Sequence, residues 1–162
     1  MGLFGRKKKD VQNGRDEYNK GYALYDLKKY EEAITYFDEA TRLDPENASF
    51  WIGRSQVFAR LSVDSQDQQN NLWKEKEEES LMCFNEATRI EPENAMYWSL
   101  KVHSLKLLER YEEALTCNDE VIKLKPTSLA WLIKSELLKK LGRTEEAEQC
   151  VTKAKELNLN KS

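Results

Sequence analysis

His103 is the only histidine in the chain, and Cys83, Cys117 and Cys150 are its only cysteines. These residue types carry nucleophilic, acid–base and metal chemistry, yet their number and spacing assemble no site. One imidazole makes no histidine cluster, and no two cysteines stand at metal-ligand or redox spacing. Each cysteine falls among apolar neighbours on a predicted helix, the setting of a small half-buried core thiol. Free thiols in odd number favour a reducing compartment, so a cytoplasmic location is expected. Glutamates stand in pairs at Glu31–Glu32, Glu78–Glu79, Glu112–Glu113 and Glu145–Glu146. Each pair opens a predicted helix, where carboxylates offset the positive end of the macrodipole. No glycine-rich phosphate loop and no nucleophile elbow are present. The expectation is a non-enzyme with no metal and no cofactor.

The elements that carry these residues are helical. Of 162 residues 34% are charged and 40% hydrophobic, with only three prolines and six glycines to interrupt helices. One domain with a substantial core fits that length. Four basic residues, Arg6, Lys7, Lys8 and Lys9, sit together at the start, and without them 22 basic residues face 29 acidic ones. A body near −7 is a poor phosphate-binding surface, so no nucleic-acid partner is expected. No stretch of about 20 apolar residues is present to cross a membrane, and residues 1–9 lack the apolar region of a signal peptide.

The decapeptide EATRLDPENA at Glu39–Ala48 returns as EATRIEPENA at Glu86–Ala95. Three spacings then fix a period: Pro92 to Pro126 is 34 residues, Pro45 to Pro92 is 47, and YEEA at Tyr30 recurs 81 residues later at Tyr111. One 34-residue unit with a single 13-residue insertion satisfies all three. Four units result, at about 14–47, 48–94, 95–128 and 128–161, preceded by a basic, flexible tail over 1–13. Down the columns stand Trp51, Trp98 and Trp131; Gly21, Ser55, Val102 and Ser135; Leu24, Phe58, Leu105 and Leu138; Ala33, Ser80, Ala114 and Ala147; Phe37, Phe84, Asn118 and Val151; Ala40, Ala87, Val121 and Ala154. Small residues at fixed columns let two helices approach, and large ones beside them fill the groove. Pro45 and Pro92 end the second helix of a hairpin because their predecessors are pushed from the α region.

This period and these columns resemble the tetratricopeptide repeat. The pattern is carried by Gly21, Ala33, Phe37, Ala40 and Pro45; by Trp51, Phe84, Ala87 and Pro92; by Trp98, Ala114 and Pro126; and by Trp131, Ala147 and Ala154. The resemblance implies an all-α right-handed superhelix, a solenoid of four helix-turn-helix hairpins. It implies an adaptor or scaffold that binds a peptide segment of a protein partner in a groove lined by the first helices. The groove columns hold Tyr18, Tyr22 and Tyr25; Ile52, Gln56 and Ala59; Met96, Ser99, His103 and Lys106; Leu132, Glu136 and Lys139. Some of the tyrosines are alternatively packing residues. Relatives that grip chaperone C-terminal tails use a clamp of Lys, Asn and Arg; the matching positions here are Tyr18, Tyr22, Gly53, Met96 and Leu100, so such a tail is not an expected partner.

Three segments stay open. The insertion, about 63–75, is expected to lengthen the second helix of its hairpin to roughly 24 residues, with Asp64 or Ser65 as cap; a loop with a short extension is the alternative. Trp73 within it is a packing anchor or an exposed recognition residue. Leu3, Phe4, Arg6, Lys7, Lys8 and Lys9 form either a frayed tail or a weak contact for an anionic membrane surface. Leu157 and Leu159 in the last unit offer a surface for a homo-oligomer.

Overall fold

The computed structural model describes residues 3–65 and 71–159; the side chains of residues 3–8 and of Ser65 lie outside that description. Among the described residues the elements are eight α-helices and no strand: α1 Leu3–Asp26, α2 Tyr30–Leu43, α3 Ala48–Ser65, α4 Leu72–Ile90, α5 Ala95–Leu107, α6 Tyr111–Leu124, α7 Ser128–Lys140 and α8 Thr144–Leu159. They pair as hairpins α1–α2, α3–α4, α5–α6 and α7–α8. The first two hairpins make one compact unit, Met1–Glu91, and the last two a second, Pro92–Ser162.

The small columns sit where the helices touch. Ala33, Ala40, Ala87, Ala114 and Ala147 are wholly buried. Beside them Phe37 is wholly buried and Phe84 nearly so, each ring contributing about 2–3 kcal/mol of apolar burial. In the first unit Phe37 anchors a core with Ala33 and Val57, with Tyr18, Tyr22 and Leu24 packed against it.

The repeated decapeptide is structural throughout. Arg42 forks onto Glu39 at 2.6 and 2.7 Å, and Arg89 pairs with Glu86 at 2.9 Å. Thr41 and Thr88 are buried and donate to the carbonyls of Phe37 and Phe84. Asn47 and Asn94 accept at 3.2 Å from the N–H groups of Ser49 and Met96, closing the next helix's first turn. Pro45 and Pro92 present carbonyls to the Trp51 and Trp98 indoles at 2.9 and 2.8 Å. Trp131 stands five residues after Pro126 rather than six, the one-residue overlap of the last unit.

The hairpin turns also repeat. Lys28, Glu109 and Gly142 have φ of 60°, 58° and 75°. The N–H after each, of Lys29, Arg110 and Arg143, donates to the carbonyl five residues back at 2.9 Å, closing the helix through a left-handed residue. The following helix then starts on its glutamate pair, and the second glutamate also meets a cation three residues before it: Lys29–Glu32, Arg110–Glu113 and Arg143–Glu146. The arginines hold Glu113 and Glu146 below the usual carboxylate range through those hydrogen bonds.

Two sequence expectations change. The insertion does not build one 24-residue helix. It lengthens α3 to 18 residues against 13 in α5 and α7, and α4 to 19 against 14 in α2 and α6. Three further residues fall in the connection, part of which, 66–70, lies outside the described residues. Extending both helices keeps them antiparallel and facing along their added length, which a single long helix would not do. Trp73, on the first turn of α4, is half-buried beneath the Lys74 ammonium at 5.5 Å. At the other end, helix begins at Leu3 and covers most of the stretch read as a tail.

Candidate functional site

In the first unit α1 presents Tyr18, Tyr22 and Tyr25 at a spacing of four and three, so one helix face carries all three. Their depth is set by what packs beneath. Tyr18 lies 4.9 Å from the Phe50 ring and 5.6 Å edge-on to Phe37. Tyr22 stands perpendicular to Phe37 at 5.3 Å, and Tyr25 sits against Tyr30 at 5.5 Å. Burial raises the Tyr25 phenol pKa. The Tyr22 hydroxyl donates to Gln56 Oε1 at 2.6 Å, tying α1 to α3. All three rings are half-buried, and they serve the core with one edge and the surface with the other. Ile52 is only 8% exposed and belongs to the core rather than to an open face. Gln56 is exposed and Ala59 half-buried.

In the second unit the first helices expose more apolar surface. Met96 is 58% exposed, Leu129 67% and Leu132 46%. Ser99 and His103 are exposed beside them. Lys106 donates to Glu136 Oε2 at 2.7 Å, bridging α5 and α7; Lys139, on α7, is exposed. Leu129 was missed by the column reading, although it stands one helical turn before Leu132.

Below this face a pocket of about 120 Å³ opens between α5, α6 and α7, with Ser99, Val102, Asn118, Val121, Ala130 and Ile133 in its wall and Leu129 at its edge. Its origin is legible in the columns. Where Phe37 and Phe84 fill the hairpins of the first unit, α6 carries Asn118. Asn118 is 1% exposed, and its Nδ2 donates to the Ala130 carbonyl at 3.1 Å. A carbonyl oxygen only accepts, so this bond fixes which end of the amide is which. Oδ1 is left without a donor among the described residues.

The cysteines occupy one column and are buried, as expected of core thiols. Burial pushes Cys83 up to about 11 despite the Arg54 guanidinium 3.5 Å away. Cys117 and Cys150 are raised by the same cause, opposed by Lys101 and Lys134. Arg54 itself is held by Asp38 at 2.5 Å.

Residues 17–47 and 129–161 each match a tetratricopeptide repeat family model. The chain is a tetratricopeptide repeat protein. A crystal structure of MamA protein is similar at a TM-score of 0.73 and 16% identity, over 95% of this chain and 78% of that one. The Arabidopsis OM64 TPR domain is similar at 0.62 and 21%, over 80% and 98%. The first TPR of Spaghetti (RPAP3), bound to the HSP90 peptide SRMEEVD, is similar at 0.57 and 18%, over 88% and 98%. At these identities the structures report the fold. No curated protein matches the chain in sequence. Among the described residues of this tetratricopeptide chain, no helix is long and apolar enough to cross a membrane.

Proposed function

We propose that this tetratricopeptide protein is a non-catalytic adaptor that holds a peptide segment of a protein partner on the first helices of its hairpins. The observation that carries it is the α5–α7 face. Met96, Leu129 and Leu132 are each about half or more exposed, and polar Ser99, His103 and the Lys106–Glu136 pair accompany them. Apolar anchors among a few fixed polar groups suit an amphipathic peptide. The half-buried tyrosines of α1 give the first unit a second, stiffer surface with little rotamer entropy to lose. A terminal carboxylate fits poorly: the clamp positions carry Tyr18, Tyr22, Gly53, Met96 and Leu100, none of them cationic, and nearby Arg54 is engaged by Asp38.

The test is selection of a displayed random-peptide library on the wild type and on a Met96→Ser/Leu129→Ser/Leu132→Ser variant of matched helicity. Peptides enriched on the wild type and lost on the variant support this face. Equal enrichment on both overturns it.

A further inference from the structure

The pocket under the α5–α7 face is mostly aliphatic, with the Asn118 amide in its wall. The residue that makes it is also the residue that gives it chemistry. Asn118 replaces the phenyl ring found at its column in both hairpins of the first unit, and that shortening leaves room. Its Oδ1 has no donor among the described residues, and less than 1 Å² of it is open to solvent. The closed wall therefore keeps water and any other donor from it, and an occupant reaches it only as that wall opens. An unpaired buried acceptor is costly and is relieved by any donor that reaches it. Val102, Val121, Ala130 and Ile133 line most of the remainder, and the Ser99 and Thr127 hydroxyls beside them are engaged by the Ala95 carbonyl and the Ala130 N–H, so the rest of an occupant is mainly apolar. A cation is unsuited, since no carboxylate faces the pocket and a buried unpaired charge is expensive.

We propose that this pocket receives a tyrosine side chain from the bound peptide, its ring taking the place of the missing phenyl and its hydroxyl donating to Asn118 Oδ1. Leu129, two-thirds exposed at the edge, turns aside to admit it. The proposal rests on the adaptor reading for the source of the side chain but not for the pocket itself. It turns the α5–α7 face from a general apolar surface into one with a preference.

Fragments separate the two. In a ¹⁵N-edited NMR titration, p-cresol is expected to shift the Asn118 side-chain amide and the amides of Ala130 and Val102. Toluene, which keeps the ring and lacks the donor, should bind about tenfold more weakly, as one hydrogen bond to a buried acceptor predicts. Asn118→Val, which copies Val151 of the next unit, should erase that preference while leaving toluene binding in place. Asn118→Phe, which restores the ring, should abolish both. Equal binding of p-cresol and toluene to the wild type, or no shift at Asn118 with p-cresol in the tens of millimolar range, overturns the pocket assignment. For peptides selected as above, Tyr→Phe at one position should cost about tenfold in affinity. Selected peptides that bind the face and contain no tyrosine overturn the inference and leave the adaptor reading standing. A pocket that prefers p-cresol in a protein that selects no peptide sinks the adaptor reading instead, and with it the peptide source of the ring.

Discussion

Gly53→Ala on α3 sets two effects of opposite sign against each other. In an ordinary helix interior the change stabilises by about 1 kcal/mol, because glycine has the larger backbone entropy to lose. The structure predicts the reverse here. A Cβ on Gly53 would stand 2.7 Å from Tyr18 Cε2 and 2.8 Å from Phe37 Cε1, where ordinary contact begins near 3.4 Å. Neither ring is free to retreat. Phe37 is wholly buried, and Tyr18 is backed by Phe50 at 4.9 Å. Overpacking of this kind costs about 1–3 kcal/mol. It should outweigh the helix gain and leave a net loss of about 1 kcal/mol, read as a lower urea midpoint at unchanged m value. A second variant identifies the cause. Phe37→Leu alone loses ring burial and destabilises, but combined with Gly53→Ala it removes the 2.8 Å contact and vacates space into which the Tyr18 ring, 5.6 Å away, can shift. The double variant should therefore be more stable than additivity predicts, by at least about 0.5 kcal/mol. A stabilised Gly53→Ala protein, or strict additivity in the cycle, would refute the close approach of α1, α2 and α3 at this point.

Ala33→Asp or Ala114→Asp places an unpaired carboxylate where two helices touch and should cost about 3 kcal/mol or more in a chemical-denaturation curve; an unchanged curve would break the repeat register. Glu109→Gly relieves a left-handed residue at φ 58° and should raise stability by about 0.5–1 kcal/mol, whereas Gly142→Ala at φ 75° should lower it by a similar amount. Cys83 keeps its proton in the fold up to about pH 11, above its ordinary value of 9.0. Its contribution is thus complete below about pH 9 and is lost as pH rises from there through 11, a total of about 2–3 kcal/mol. Cys83→Ala should flatten that part of the pH–stability profile, measured by urea unfolding, and an identical slope in both proteins would rule the thiol out.

The columns announced the fold because close packing of helices needs a particular side-chain size at each contact, and size is written in the residue type. Ala33, Ala114 and Ala147 were legible for that reason, and so was Phe37. Depth on the outer faces was not. Spacing places Tyr18, Tyr22 and Tyr25 on one side of α1, but whether a ring is surface or core depends on Phe37 and Phe50, which arrive from other helices. Ile52 shows the same limit, since its column reads as groove and its surroundings bury it. The insertion was legible as thirteen residues and illegible in its partition. Local signals at Asp64 and Ser65 favoured a helix start, and the hairpin instead lengthened both arms so that each gained a partner.

Repetition and departure from it have different physical meanings in this chain. The decapeptide recurs nearly unchanged because almost every residue in it holds a bond or a contact: an ion pair, a buried threonine, a turn, a cap and an indole acceptor. Such a segment tolerates little change in either copy, and most of its side chains are already engaged. Selectivity must come from columns where the copies differ. The Phe37–Phe84–Asn118–Val151 column is the clearest, because three of its members are apolar and the fourth is a buried amide with one end unpaired. A core that only had to be filled would carry a third ring there at lower cost. The Nδ2 bond to the Ala130 carbonyl offsets part of that penalty, and the proposed tyrosine hydroxyl would offset the rest. The same logic separates the two faces: where α1 and α3 use aromatic rings to close the first unit, α5 and α7 leave Met96, Leu129 and Leu132 open above an unfilled space, and it is the open face that has binding energy left to give.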